Sequence, residues 1–113
     1  MQLSNKDIQM ILTNITSPFK FYEEKDGYLC LKNVGEYCIF FDSSSNKCKI
    51  YEHRPRGCRL YPFVYDNGKC IIDRDCKNRE NIKYIDKNTE NKVKNFVKLL
   101  EKERESRLTN RKR

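Results

Sequence analysis

Tryptophan and alanine are absent from this chain, histidine occurs once, and its 113 residues include only four glycines and three prolines. Long apolar runs are missing too, the longest being about four residues, against the roughly 20 that a membrane-spanning helix needs. The first residues, Met1-Gln2-Leu3-Ser4-Asn5-Lys6-Asp7, carry no apolar core of a secretory signal, so a cytoplasmic location is expected. Hydrophobic residues make up 37% of the chain, charged residues 35%, and the mean hydropathy is −0.92. Folding a chain of this size buries roughly 60–68% of its unfolded surface, which is little for a self-sufficient core. Seven tyrosines and six phenylalanines nevertheless keep it out of the disordered class. The composition excludes large multi-domain enzymes and membrane spans. It leaves a small domain that needs a staple.

Cysteine is the available staple. Cys30, Cys38, Cys48, Cys58, Cys70 and Cys76 fall within 47 consecutive residues. In a reducing cytosol, clustered cysteines serve metal binding or redox chemistry more often than disulfides; six would allow fifteen disulfide pairings, and that alternative stays open. Their intervals are seven, nine, nine, eleven and five residues. No C-x2-C pair supplies two ligands from one turn, so spacing alone is a weak metal signal. Arg54, Arg56 and Arg59 surround Cys58. They would lower its thiol pKa, or instead pair with Glu52, Asp42 or Asp73 at the surface. His53 reads as an exposed loop residue rather than a ligand.

Charge is uneven. Of the net +8, residues 77–113 hold 13 Lys and Arg against 6 Asp and Glu, a net of +7. Such a basic third attracts nucleic acid or another polyanion, or simply solvates a helix face.

The chain reads as α+β in a single domain. Ser4 and Asp7 resemble a capping box, and Ile8, Ile11, Leu12 and Ile15 follow at helical spacing, predicting a helix over 5–15 that ends at Pro18. Residues 19–23 and 28–32 read as a hairpin around Lys25-Asp26-Gly27. Residues 38–41 and 48–51 read as a second hairpin, with a cysteine starting each strand. Residues 63–65 and 69–72 flank Asp66-Asn67-Gly68, the strongest turn signal in the chain. Between them, residues 54–59 should form a turn or one short helical turn with Pro55 in its first position. Val93, Phe96, Val97 and Leu100 make the stripe of an amphipathic helix from about Thr89 to Arg107. The cysteine-rich domain with this helix is assigned to residues 1–100, and 101–113 to a basic tail, frayed at least over 108–113.

Cys38-Ile39-Phe40-Phe41-Asp42, followed by Cys48-Lys49-Ile50-Tyr51-Glu52-His53-Arg54-Pro55-Arg56-Gly57-Cys58-Arg59-Leu60-Tyr61-Pro62-Phe63, resembles the second half of the YkgJ-like, CxxCxxCC-type zinc- or iron-chelating domain family. The likeness is tight over 36–63 and loose over 3–78. It implies zinc or an iron–sulfur cluster held by Cys38, Cys48, Cys58 and Cys76, supported by Arg54, Arg59 and Tyr51, with Cys30 and Cys70 as spare thiols. The clustered cysteines that name the family are missing here, while Met1 to Ile11 resembles the stretch that follows them. The expectation is that Met1 is internal to a longer reading frame, with roughly 15–20 further residues carrying the cluster (an estimate from short loop lengths). Related cysteine patterns in flagellin lysine-N-methylases imply methyl transfer as an alternative, beside thiol redox chemistry and a nucleic-acid-associated role. Structural zinc supplies on the order of 10–16 kcal/mol in small peptides, against about 3–5 kcal/mol from a small core.

Overall fold

The computed structural model describes residues 1–15 and 20–111. The expected helix stop at Pro18, the Phe19 end of the first expected strand and the last two tail residues lie outside that set. The architecture is α+β. The first element, β1 (Gln2–Leu3), leads into helix α1 (Asn5–Asn14); β2 (Tyr22–Lys25) and β3 (Tyr28–Leu31) form a hairpin, and β1 adds to it antiparallel in the order β1-β3-β2.

Local chemistry explains where α1 starts. The Ser4 hydroxyl accepts from the Asp7 backbone N–H at 3.1 Å, and the Asp7 carboxylate accepts from the Ser4 N–H at 3.0 Å, a reciprocal capping box. The other oxygen of Asp7 accepts from the Arg56 N–H at 3.0 Å. One buried carboxylate therefore caps α1 and anchors a segment 49 residues away. Ile8 and Ile11 are buried and Ile15 packs beside them, but Leu12 is 53% exposed, so the stripe is narrower than the spacing suggested. Leu3, Phe21, Leu31, Phe40 and Ile50 complete this core.

The middle of the chain is not one hairpin but two minimal ladders. Strand β4 (Asn33–Val34) pairs with β5 (Tyr37–Cys38), and β6 (Phe41–Asp42) pairs with β7 (Lys47–Cys48). Cys38 and Cys48 thus end their strands rather than start them. The Asp42 carboxylate helps cut β6 short, because it accepts from the Ser44 N–H, the Ser44 hydroxyl and the Ser45 hydroxyl at 3.1, 2.8 and 3.0 Å. A single 3-10 turn follows at Tyr51–His53, then the short helix α2 (Arg56–Leu60), with Pro55 at its N-cap, one place earlier than expected. Strands β8 (Phe63–Asp66) and β9 (Lys69–Ile72) close on Asn67 and Gly68, both at positive φ, as a two-residue primed turn demands. A second 3-10 turn, Arg79–Asn81, precedes the long helix α3 (Lys87–Arg111).

Helix α3 runs on through Arg111, across the segment assigned to a basic tail. Its final turns are held by tertiary bonds. Arg104 Nε donates to the Asp26 carbonyl at 2.7 Å, and an Arg107 N–H donates to the Gly27 carbonyl at 2.9 Å. The Asn5 N–H donates to Glu103 at 2.8 Å, Arg107 reaches the Asn5 side chain, and the Tyr28 hydroxyl donates to Glu101. Upstream on α3, Val93, Phe96 and Leu100 are buried. No helix among the described residues is long and apolar enough to cross a membrane.

Candidate metal centre

The six cysteines are all half-buried free thiols, but they do not share one environment. Cys38 at the end of β5, Cys48 at the end of β7 and Cys58 in α2 all pack against the main core. Burial first, and then the charge that Cys38 and Cys48 would carry, push the Cys58 thiol up to about 11. Those three sulfurs, drawn from segments 10 residues apart in each step, are therefore electrostatic neighbours. The amino terminus of Met1 and the Arg54 guanidinium pull the other way. The sequence allowed the arginines to depress this thiol; desolvation outweighs them. A thiol held protonated at neutral pH is not an activated nucleophile.

Cys76 follows β9 in chain order. It follows the turn in which its N–H donates to the Asp73 carbonyl at 3.1 Å, and its charge is felt by Tyr61. Tyr61 donates its hydroxyl to Asp73, which is the main reason its pKa is raised to about 12. This Tyr61–Asp73 pair was not anticipated; the two are twelve residues apart in chain order, and only the closing of β8 on β9 makes them neighbours. Of the remaining thiols, Cys30 lies in β3 opposite Gln2 and Glu23, and Cys70 lies in β9 opposite Tyr65. Burial, with the nearby Glu90 charge, raises the Cys70 pKa.

The supporting residues divide as well. The Arg54 guanidinium stacks 4.0 Å above the Tyr51 ring, and its Nε donates to the Tyr51 carbonyl at 3.1 Å. Tyr51 is 61% exposed and serves as a platform for Arg54 more than as packing. Asn46, Lys47, Cys48, Tyr51 and Arg54 line a cleft of about 570 Å³, which gives solvent a route to the Cys48 side of the trio. Arg59 is exposed and lines a different cleft. Among the described residues, none of Arg54, Arg56 and Arg59 forms an ion pair with Glu52, Asp42 or Asp73. His53 is half-buried in its 3-10 turn rather than exposed in a loop.

Thiol softness suits zinc and iron–sulfur centres equally. In position, the side chains do not close a site: among the described residues no group of three or more His, Cys, Asp or Glu side chains stands ready to hold a metal ion.

These features define a class, that of small cysteine-rich α+β domains whose thiols come from separate hairpins and a short helix. Within it, the chain belongs to the CxxCxxCC family, described as a putative zinc- or iron-chelating domain, whose model matches residues 2–92. It is also 37% identical over 81 residues to an uncharacterized protein of Methanocaldococcus jannaschii, a match covering 65% of this chain and 44% of that protein. The chain therefore spans less than half the length of this relative. No solved structure matches.

Proposed function

We propose that the protein binds zinc or an iron–sulfur cluster through cysteine thiolates, with Cys38, Cys48 and Cys58 as the nucleus of the site and Cys76 as a further ligand. The observation that supports this most is the convergence on Cys58 of two thiols carried by separate ladders. A buried thiol flanked by two others resists losing its proton to water, and a cation that takes the place of those protons removes the repulsion. Arg54, held over Tyr51, offsets part of the negative charge that the thiolates would bring. Family membership supports the same reading. Cys30 and Cys70, opposite other partners in their sheets, are left out of it.

The test is anaerobic purification with elemental analysis and an optical spectrum, on the wild-type chain and on Cys58→Ser. Stoichiometric zinc in colourless protein identifies a thiolate–zinc site, while iron with sulfide and visible absorption identifies a cluster. Cys58→Ser should lose the metal and Cys30→Ser should keep it. Wild-type protein that takes up neither metal in stoichiometric amount overturns the assignment.

A further inference from the structure

A second concave site lies on the far flank of α2. Arg56, Arg59 and Lys92, with Leu60 as an apolar wall, line a cleft of about 330 Å³ between α2 and the first half of α3. That volume is at the small end of the roughly 300–1,000 Å³ of small-molecule sites. Three cationic side chains line it and no carboxylate does.

The cleft is organised by contacts that leave its charges available. Arg56 and Arg59 stand three residues apart, on the same face of α2. The Arg56 N–H is fixed by Asp7 at 3.0 Å, and its guanidinium lies 5.4 Å from the centre of the buried Phe96 ring. Lys92 comes from the facing helix. The ion pairs of the described residues, Lys25–Glu23 and Arg107–Glu103, lie elsewhere. Asp86 is a carboxylate that feels Lys92, but it is turned onto the Thr89 N–H, which it accepts at 2.7 Å.

Arg104 and Arg107 are differently employed, being bonded to the turn of the first hairpin.

We propose that the Arg56–Arg59–Lys92 cleft binds a terminal phosphate group. Planar guanidinium groups bind phosphate oxygens two at a time, with the lysine as a mobile point charge, and three positive heads balance a dianionic monoester better than a singly charged diester. The phosphate belongs either to a small phosphorylated molecule or to the phosphorylated end of a nucleic acid. This site is separate from the thiol trio and does not depend on the metal assignment.

The experiment is a calorimetric and amide-resonance titration of the full chain with inorganic phosphate, with a nucleoside monophosphate, and with a short oligonucleotide with or without a 5′-phosphate. Saturable phosphate binding that shifts the Arg56, Arg59 and Lys92 resonances is expected. The exposed pair Arg59→Gln and Lys92→Gln, combined, should weaken it by about tenfold or more (roughly one lost charge-assisted contact), with the thermal midpoint unchanged. Comparable affinities for the mononucleotide and the 5′-phosphorylated oligonucleotide support a small molecule as the source. Much tighter binding of the 5′-phosphorylated oligonucleotide supports a nucleic-acid end. Equal binding of both oligonucleotides, phosphate binding unaltered in the double variant, or no saturable phosphate binding overturns the proposal.

Discussion

Gly27 is the residue at which the first hairpin and α3 depend most directly on each other. Its φ is +85°, and a Cβ there would stand 2.9 Å from Arg104 Cγ and 3.1 Å from Leu108 Cγ. Gly27→Ala is expected to cost about 1–3 kcal/mol, from the left-handed backbone and the displaced helix together. A urea titration should register this as a lower midpoint at unchanged slope. Asp7 serves two distant N–H groups from one buried carboxylate. Asp7→Ala removes a cap and leaves the Arg56 N–H unsatisfied, and should cost about 2–4 kcal/mol in the same assay. Tyr61 gives a pH signature. Because Asp73 holds its proton on, with a folded pKa of about 12 against an ordinary value near 10, the associated stability is fully present below about pH 10. It is lost as the pH climbs from there through 12. In an ultraviolet titration, Tyr61→Phe should delete the most alkaline tyrosine component, and Asp73→Asn should move it toward ordinary values. A wild-type titration with no component near 12 would contradict this pairing.

Elements with a local cause were the legible ones. The Ser4–Asp7 box and the 8, 11, 15 spacing announce α1, Asn67-Gly68 announces the last hairpin, and the Val93–Phe96–Leu100 stripe announces α3. The β4–β5 ladder was missed and the β6–β7 ladder misplaced because their strands are two residues each, too short to display an alternation. The last turns of α3 were read as frayed because their local pattern is mostly polar. What holds them is distant: the backbone carbonyls of Asp26 and Gly27, and the side chain of Asn5. Ending the chain after Leu100 should therefore loosen the β2–β3 hairpin. Amide exchange at Tyr28 is expected to quicken relative to Ile71 in β9, whereas equal protection in both chains would show that the clasp contributes nothing.

At the scale of the molecule, the resemblance pointed to Cys38, Cys48, Cys58 and Cys76, of which the first three pack against one core. Their burial was hidden, because it also depends on Ile8 and Ile11 of α1, which the motif does not include. The resemblance grouped Arg59 with Arg54. Arg54 precedes α2 and stacks on Tyr51, whereas Arg59 lies within α2 and lines a cleft with Lys92. If the trio binds zinc, saturating metal should raise the thermal midpoint by mass action on the folded state, and a chelator should reverse the rise. Cys58→Ser should be insensitive to both additions.

The bonds joining Asn5 to Glu103 and Arg107 span sequence separations of 98 and 102 residues. A chain emerging from the ribosome could form α1 and the first hairpin early, yet their finishing contacts would have to wait until Glu103 to Arg107 had been made. A protease that cuts α3 ahead of Glu103 would return α1 and the first hairpin to that unfinished condition.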